Sequence, residues 1–445
     1  MALTRTAHTA HASARPSGPL RGTLRVPGDK SISHRAIILG TLADGTTRVT
    51  NLLEGGDILS TIGVMRALGG EIAKTGDTWM VEGVGARGFQ QPDTDLDCGN
   101  AGTGARLIMG AVAGHAIAAT FTGDASLSSR PMERVLGPLR EMGASCDSDN
   151  GRLPVTIRGG NLEAIRFAPP KASAQVKSAI LLAGLRARGH TEVIEAHPTR
   201  AHTEVMLRAF GVPVETDGNR VFLGGPAELT ATDITVPGDP SSAAFATVAA
   251  TVIPGSDIIL EGVLQHPRRS RLFEALQEMG ADITLQNPRT AGGEEVADLR
   301  VRHAQLTGTT VDPARAADMI DEYPILAVAA AFADGPTVMD GIGELRVKES
   351  DRISATVALL RANGVEVDER DDGMTVHGRG KGGAGDTVPG GSTPVTTHHD
   401  HRIAMSALIL GLASRDGSRI DDPSPIATSY PGFFDDLTGL GAEFA

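Results

Sequence analysis

The pattern of apolar and polar residues in this 445-residue chain contains a short sequence motif that recurs along its length. Each copy is the end of an amphipathic helix followed by glycine, a combination that predicts a helix C-cap. Most copies precede two short alternating runs joined by Gly-Asp or Asp-Gly, which predict a pair of antiparallel strands. The period of about 70–85 residues indicates a repeated supersecondary unit. The six copies are MRALGG ending at Gly70, LREMGA at Ala144, MLRAFGV at Val212, LQEMGA at Ala281, LLRANGV at Val365 and LTGLGA at Ala442.

A longer repeated segment divides these six α/β units into two groups of three. The segment LRVPGDKSISHRA at residues 24–36 is similar to ITVPGDPSSAAFA at residues 234–246. Because Pro-Gly after a strand breaks regular structure, the two copies predict crossover strands between two similar lobes. We therefore expect a first lobe over 27–236 and a second lobe over 1–26 and 237–445, with residues 1–20 partly a flexible tail. A cleft between two such lobes is a preferred site for small molecules.

Composition narrows the class of ligand. The formal net charge is −13 and aromatic residues make up 3% of the chain, which argues against a nucleic-acid partner. The longest apolar runs, such as ILAVAAAFA, are shorter than the roughly 18 residues of a membrane span. Cys98 and Cys146 show no metal or redox spacing, and residues 1–20 lack the apolar core of a secretory signal. We expect a cytoplasmic protein in which any cluster of cations is local.

Cationic and small polar residues stand at several predicted helix starts in the first half of the chain. Such starts suit anions, although glycine-rich turns and Arg-Pro steps also occur for purely structural reasons. GDKS resembles the end of a P-loop but lacks its leading glycine and spacer, so we reject a nucleotide site. The candidates are Lys30, Ser31 and Arg35 in PGDKSISHRA, Asn100 and Thr103 in CGNAGTGARL, Arg130 in LSSRPMERV, Ser173, Ala174 and Gln175 in ASAQVKSA, and Arg200 and His202 in PTRAHTEV.

Charged residues also cluster in the second half, in RVKESDRI. Lys348 and Arg352 are four residues apart and share a helix face, with Glu349 beside them, as suits a proton-handling group for an anionic substrate. The alternative is a solvated helix start. Asp321 and Glu322 in MIDEYPIL are either helix caps or a general base.

A run of histidines precedes the last strongly apolar helix. His398, His399 and His401 surround Asp400 in HHDHRIAM, and three histidines favour a metal site. Arg402 follows directly, and a guanidinium at a helix start favours an anion instead, which is the interpretation we prefer. Cations from both predicted lobes then call for a ligand set rich in phosphate and carboxylate.

In this order and approximate spacing, PGDKSISHRA, GNAGTGARL, LSSRPM, ASAQVKSA, IDEYP, RVKESDR and DHRIAM resemble the 5-enolpyruvylshikimate-3-phosphate synthase family. The resemblance runs from about residue 20 to the end and is strongest to bacterial class II members. It implies an α/β fold of two lobes, each of three βαβαββ units around a pseudo-threefold axis. It also implies transfer of the enolpyruvyl group of phosphoenolpyruvate to the 5-hydroxyl of shikimate 3-phosphate, with release of phosphate, in a monomeric enzyme.

The resemblance carries the family's residue roles onto this chain. Asp321 would accept the hydroxyl proton, Glu349 would protonate the methylene carbon and Lys30 would assist phosphate departure. Shikimate 3-phosphate would contact Lys30, Ser31, Arg35, Ser173, Ala174, Gln175, Arg200, Asp321 and Lys348. Phosphoenolpyruvate would contact Lys30, Asn100, Thr103, Arg130, Gln175, Lys348, Arg352 and Arg402.

An acid, a base and several cations suffice for this chemistry, so we expect neither a metal nor an organic cofactor. Two positions depart from the family pattern: Ala174 replaces a common serine, and Thr428 stands where many members have lysine. The family's inhibitor glyphosate would compete with phosphoenolpyruvate. Gly102 stands where glyphosate-resistant class II members carry alanine, so we expect sensitivity.

Two other functions use the same features. The sister family that adds enolpyruvyl to a UDP-sugar uses a cysteine in a mobile loop, but neither cysteine here lies in an arginine-flanked loop. A non-catalytic anion-binding protein of the same fold would need the cations but neither Asp321 nor Glu349.

Overall fold

The computed structural model describes residues 11–380 and 388–445. Over these residues the helices are α1 Lys30–Leu42, α2 Gly56–Ala67, α3 Gly102–Ala113, α4 Ala125–Ser129, α5 Glu133–Glu141, α6 Ala174–Gly184, α7 His202–Ala209, α8 Pro240–Val252, α9 Arg271–Glu278, α10 Tyr323–Ala331, α11 Arg352–Ala362, α12 His401–Ala413 and α13 Phe433–Gly439. Short 3₁₀ helices cover Gly85–Arg87, Pro313–Asp318, Ile320–Glu322, Gly343–Val347 and Ser424–Thr428. None of the helices in these two ranges is long and apolar enough to cross a bilayer.

The strands are short and regularly placed between the helices. They are β1 Ala12–Arg15, β2 Arg21–Leu24, β3 Thr46–Thr50, β4 Glu71–Thr75, β5 Thr78–Glu82, β6 Leu96–Asp97, β7 Ala118–Thr122, β8 Ser145–Asp149, β9 Arg152–Arg158, β10 Arg166–Phe167, β11 Gly189–Ile194, β12 Val214–Asp217, β13 Arg220–Gly225, β14 Ile234–Thr235, β15 Asp257–Leu264, β16 Asp282–Ala291, β17 Glu294–Arg302, β18 Thr310–Val311, β19 Asp334–Asp340, β20 Glu366–Arg370, β21 Gly373–Arg379, β22 Ser418–Ile420 and β23 Glu443–Phe444.

The chain forms two compact units, which we call the first and second lobes. The first lobe comprises Gly28–Pro237 and Thr290–Glu294, and the second comprises the remaining described residues. Both long crossings fall at the Pro-Gly steps of the repeated VPGD segment. The prediction had placed 290–294 in the other lobe. These residues include the end of β16, the turn at Gly292 and Gly293, and Glu294 at the start of β17. The buried Glu294 accepts a hydrogen bond from the buried His202, 2.8 Å away.

The first lobe contains three sheets with one topology. Each has four strands, in the orders β14-β3-β5-β4, β6-β7-β9-β8 and β10-β11-β13-β12. In each sheet the first pair is parallel and the others are antiparallel, as a βαβαββ unit requires. The predicted repeat is therefore confirmed in this lobe.

The second lobe repeats the scheme, with one variation. Its four-stranded sheets are β16-β17-β15-β2 and β18-β19-β21-β20, and its third sheet is β22-β1-β23. Strand β1, from the start of the chain, pairs with both β22 and β23 and so completes the sixth unit. Of the predicted tail, residues 1–10 lie outside the described residues. Within the segment 1–20, which the sequence predicts to be partly a flexible tail, Ala12–Arg15 form a strand that lies between β22 and β23.

The six recurring helix ends share one backbone geometry. In each, the glycine has φ between 79° and 109°, a region that other residues rarely adopt. The following residue donates its N–H to the carbonyl five residues earlier, as Gly70 does to Met65 and Val365 does to Leu360, which is the Schellman arrangement. The glycines are Gly69, Gly143, Gly211, Gly280, Gly364 and Gly441.

The first helix of each unit is buried on nearly all sides and forms the core of its lobe. Helices α1, α3 and α6 fill the first lobe, and α8, α10 and α12 fill the second. Within the first lobe α3 lies directly against α6, because Gly110 and Ala179 meet with no side chain between their backbones. Many of the candidate residues stand at or near the N-terminal ends of these helices, where unsatisfied N–H groups favour anions, and Lys348, Glu349 and Arg352 stand at or just before the start of α11.

The contact between α3 and α6 predicts a stability difference between two Gly→Ala variants. At position 110 an alanine Cβ would lie 2.2 Å from the Ala179 carbonyl oxygen, so the helices must separate. We expect Gly110→Ala to lower the free energy of unfolding by about 1–3 kcal/mol, as overpacking does. Gly63→Ala is the matched control, since the exposed Gly63 of α2 has open space around its Cβ position. It should be neutral or stabilising by about 0.5–1 kcal/mol. Equal melting temperatures for the two variants would contradict this packing argument.

A buried histidine links α1 to α2 and makes the stability depend on pH. His34 is fully buried, with Nδ1 2.8 Å from Thr61 Oγ1. Burial lowers its pKa from 6.5 to about 3, against the opposing charge of Asp57. The unfolded chain binds a proton at His34 below about pH 6.5 while the folded protein does not, so stability falls as the pH drops through this window.

We expect His34 to remove about 2 kcal/mol of unfolding free energy between pH 7 and pH 5, at ~1.4 kcal/mol per unit below its ordinary pKa. His34→Asn, which cannot be protonated, should lose that much less over the same interval. Urea titrations of both proteins at the two pH values provide the comparison. Parallel losses would show that His34 is not responsible.

Candidate active site

Lys30 and Arg35 project from the first two turns of α1. Asp29 caps this helix through the N–H of Ile32, which places Lys30 at its first residue. The Lys30 ammonium lies 3.1 Å from Asp57 Oδ2, and the Lys30 side chain is 25% exposed. It is therefore held but still accessible.

Arg35 is almost completely buried, and neutral groups hold its guanidinium. It donates to Thr203 Oγ1 at 2.7 Å, Ser178 Oγ at 2.7 Å and the Ser31 carbonyl at 2.8 Å. Burial lowers the pKa of Arg35 to about 10, with Glu204 acting in the opposite direction. The side chain consequently carries a full charge at neutral pH without a direct carboxylate partner in these three bonds.

A second first-lobe cluster surrounds Gly102 at the start of α3. Arg130 donates to Asn100 Oδ1 at 2.9 Å, and Asn100 donates in turn to Asp124 Oδ2 at 2.7 Å. A Cβ on Gly102 would lie 3.1 Å from the Nη1 atoms of both Arg130 and Arg106. The glycine thus leaves room for two guanidinium groups beside one helix terminus.

Gln175 joins this cluster from α6. Its Nε2 donates to Thr103 Oγ1 at 2.9 Å, and its Oε1 accepts from Arg106 at 3.1 Å. The structure therefore brings together the predicted Asn100, Thr103, Arg130 and Gln175. Arg106 was missed, because an arginine one turn inside a helix gives no signal that separates it from a solvated surface charge.

The remaining first-lobe candidates border the N-terminal ends of α6 and α7. Ser173 caps α6 by accepting the Val176 N–H, and Ala174 is its first residue. Arg200 lies in the loop before α7 and contributes to lowering the pKa of Arg35. His202 is buried against Glu294 and is a structural residue.

In the second lobe, the Arg352 guanidinium connects three carboxylates. Its side chain is 1% exposed. Nη1 lies 2.9 Å from Asp321 Oδ1, Nη2 lies 2.6 Å from Glu349 Oε2, and Nε lies 2.8 Å from Asp400 Oδ2. Burial alone would lower the pKa of Arg352, but these carboxylates outweigh the effect of burial and raise the pKa.

Asp400, which lies within the histidine run, is a structural partner of Arg352. It caps α12 through the N–H of Arg402, and it accepts a hydrogen bond from Ser350 at 2.9 Å. Burial would raise its pKa, yet the neighbouring Arg352 and His401 hold the pKa below its ordinary value.

Lys348 and Arg402 complete the second-lobe cluster. Lys348 Nζ lies 3.5 Å from Asp321 Oδ1. Arg402 Nη1 donates to the Asp321 carbonyl at 2.9 Å and lies 3.3 Å from the buried Glu322 Oε1. All the second-lobe candidates for substrate contact and proton transfer are therefore brought together around Asp321 and Arg352.

The histidines next to Asp400 lie in different surroundings. His398 and His399 both have positive φ, and the His399 side chain is 88% exposed with Nδ1 3.4 Å from Asp422. His401 is buried at the first turn of α12. Across residues 11–380 and 388–445, no group of three or more His, Cys, Asp or Glu side chains has the geometry to hold a metal ion.

Comparison with known proteins is consistent across sequence and structure. A family model described as EPSP synthase (3-phosphoshikimate 1-carboxyvinyltransferase) matches residues 14–437. Proteins named 3-phosphoshikimate 1-carboxyvinyltransferase from Parvibaculum lavamentivorans and Caulobacter vibrioides are 58% and 56% identical over 440 residues. These alignments cover 97% of this chain in both cases, and 96% and 98% of the respective relatives.

The solved structure of EPSP synthase from Acinetobacter baumannii has a TM-score of 0.89 at 44% identity, covering 98% of this chain and 99% of that one. The enolpyruvyl transferase NikO from Streptomyces tendae has a TM-score of 0.75 at 18% identity, covering 98% of each chain, and shows the shared fold. The order of βαβαββ units, the clusters of arginine and carboxylate residues, and these similarities lead to one conclusion. The chain belongs to the EPSP synthase (3-phosphoshikimate 1-carboxyvinyltransferase) family.

Proposed function

We propose that this protein transfers the enolpyruvyl group of phosphoenolpyruvate to the 5-hydroxyl of shikimate 3-phosphate and releases phosphate, as a step of the shikimate pathway. The observation that carries the proposal is the second-lobe cluster. Asp321 and Glu349, the two groups needed for proton transfer, both form ion pairs with the Arg352 guanidinium, and Lys348 lies beside Asp321. A purely binding protein would need the cations without this pair of acids.

Shikimate 3-phosphate is held mainly by small polar and cationic groups at helix starts. Arg35 and Arg200 supply charge, and the N-terminal end of α6 supplies N–H groups, all of which suit a phosphate. Ala174 contributes only its backbone. The set is Lys30, Ser31, Arg35, Ser173, Ala174, Gln175, Arg200, Asp321 and Lys348.

Phosphoenolpyruvate is held by guanidinium, ammonium and amide groups that can bind its carboxylate and phosphate. Arg130 is pre-oriented by Asn100, and Gln175 is pre-oriented by Thr103. The set is Lys30, Asn100, Thr103, Arg130, Gln175, Lys348, Arg352 and Arg402. To it we add Arg106, because it shares Gln175 and the edge of Gly102 with the others.

The reaction is an addition followed by an elimination, and the methylene carbon gains a proton in the first stage and loses one in the second. Glu349 donates a proton to the methylene carbon, the 5-hydroxyl oxygen bonds to the adjacent carbon, and Asp321 accepts the hydroxyl proton. The tetrahedral intermediate then loses phosphate, assisted by Lys30, and the phosphate leaves with the proton that Asp321 had accepted. The methyl group returns its proton to Glu349, and the double bond forms again. Lys348, Arg352 and Arg402 stabilise the charges that develop, so this chain's own residues can account for each step.

The cysteine-dependent reaction of the sister family is disfavoured by the thiols. Cys98 and Cys146 are both buried and free. Burial raises the pKa of Cys98 to about 12 and that of Cys146 to about 11, so neither is a thiolate at neutral pH.

Within the family we assign the chain to the class II members, on the basis of ASAQVKSAILLAGL and NPRTAGGEEVADLRVR. We also propose that it is a cytoplasmic monomer. Its two reduced, buried cysteines fit a reducing compartment. Gel filtration with light scattering tests the monomer, and a mass near twice 46.1 kDa would refute it.

Glu349→Gln and Asp321→Asn test the proton-transfer roles. Each keeps the side-chain shape but removes the acid or base, so kcat should fall by about 10²–10⁴ while the Kd of shikimate 3-phosphate changes little. The assay is phosphate release, which should require both substrates and be unaffected by EDTA. Glu344→Gln, an exposed residue of the preceding 3₁₀ helix, is the matched control and should retain wild-type kcat. Near wild-type turnover in either active-site variant would remove that residue from the mechanism.

Gly102→Ala tests the glyphosate prediction. The added Cβ would lie 3.1 Å from Nη1 of Arg130 and of Arg106, which must shift by a few tenths of an ångström. Glyphosate is longer than phosphoenolpyruvate, so its Ki should rise at least about tenfold, equivalent to ~1.4 kcal/mol. The KM for phosphoenolpyruvate should rise much less, and that for shikimate 3-phosphate should stay the same. Equal increases in Ki and in the KM for phosphoenolpyruvate would refute the steric explanation.

A further inference from the structure

A buried ion cluster lies behind the first-lobe phosphate residues and has no place in the mechanism above. Lys177 is the fourth residue of α6. Its Nζ lies 2.8 Å from Glu195 Oε2 and 2.7 Å from Glu204 Oε1. The three side chains are 1%, 5% and 1% exposed. Three charges removed from water carry a large desolvation cost, so their retention calls for a reason other than stability.

The cluster closes both ends of the segment that carries Arg200, residues 195–204, which we call the Arg200 loop. At one end, Glu195 Oε1 accepts hydrogen bonds from the backbone N–H of Thr199 at 3.1 Å and from the Thr199 hydroxyl. The Glu195 carbonyl also accepts from Asn219 at 2.8 Å. At the other end, Glu204 lies in the first turn of α7. One ammonium group therefore binds the start and the end of the loop.

The same cluster borders the residues that orient Arg35. Lys177 precedes Ser178, and Glu204 follows Thr203. Ser178 and Thr203 lie 2.7 Å apart and accept the Nη2 and Nε hydrogens of Arg35. Any separation of α6 from α7 would move both acceptors of this guanidinium together with the loop that carries Arg200.

Attraction of the substrate does not explain the cluster. One ammonium and two carboxylates carry a formal charge of −1, which would repel an anionic ligand rather than draw it in. The geometry fits a mechanical role, in which a fixed loop lowers the entropy lost when two arginines close on one phosphate.

We propose that Lys177 is a positioning residue for shikimate 3-phosphate, which it serves by joining α6 to both ends of the Arg200 loop. The inference rests on the proposed function, in which Arg35 and Arg200 contact this substrate.

The test compares variants that break the link with and without a change in net charge. Lys177→Met leaves the cluster at −2, whereas Lys177→Met with Glu204→Gln returns it to −1 and leaves Glu195 bonded to Thr199. Calorimetric titration with shikimate 3-phosphate alone should give a Kd at least tenfold weaker for both. At saturating shikimate 3-phosphate the KM for phosphoenolpyruvate should change less than threefold. A Kd that recovers in the double variant would show that the cluster acts through its charge, and would overturn the positioning role.

A control variant and a second test variant separate a specific effect on the Kd from a general loss of stability. Leu181→Ala lies one turn further along α6 in the core, so it should lower the melting temperature while leaving the Kd unchanged. Glu195→Gln keeps the pair of Lys177 with Glu204 and should fold even where Lys177→Met does not, with a Kd weakened at least threefold. An unchanged Kd in the folded Lys177 or Glu195 variants overturns the inference.

Direct-contact variants distinguish failure of this inference from failure of the proposed function. Arg35→Ala and Arg200→Ala should weaken shikimate 3-phosphate binding by at least a hundredfold together. If they do so and the Lys177 variants do not, only the positioning role is wrong. If they leave the Kd unchanged, the assignment of the phosphate site to this part of the first lobe is wrong as well.

Discussion

The buried Arg352 guanidinium fixes the positions of the carboxylates in the second lobe. Removing a guanidinium from water costs free energy, and here three carboxylates that pair with it offset that cost. Each of these carboxylates lies near the start of a different helix: Asp321 before α10, Glu349 before α11 and Asp400 at the cap of α12. One side chain therefore sets the distances among three helix ends, and with them the distance between the proposed acid and the proposed base.

The first lobe places its central arginine in a different environment. Arg35 is held by two hydroxyls and a carbonyl, so the cation is oriented without being neutralised in those bonds. The buried carboxylates of Glu195 and Glu204 pair instead with Lys177, the residue that precedes Ser178. In the proposed function the two lobes therefore have different roles. The first lobe supplies positive charge that binds phosphate groups, and the second lobe supplies the carboxylates that transfer protons.

Much of this arrangement could be predicted from sequence because it depends on local rules. The six helix ends were predicted because only glycine readily adopts the required positive φ, and the lobe crossings because Pro-Gly interrupts a strand. The candidates at helix starts were predicted because short motifs such as PGDKSISHRA mark them. Asp400, Arg106 and Lys177 escaped for a common reason. Their roles depend on partners 48, 69 and 18 residues away, and nothing local distinguishes them from an ordinary cap or a surface charge. Residues 290–294 were assigned to the wrong lobe because a hairpin turn carries no sign of where it packs.

Strand β1 has a consequence for the order in which the protein is made. It leaves the ribosome well before its partners β22 and β23, which lie more than 400 positions later, as the bond from Ser13 to Ala445 with a separation of 432 illustrates. The first lobe's sheets, by contrast, are complete once residue 237 has been synthesised, apart from the short turn at 290–294. Long-range pairing of this kind delays folding, since the loop must close before any contact rewards it. The third sheet of the second lobe therefore forms last, and until then the nascent chain carries β1 without its partner strands.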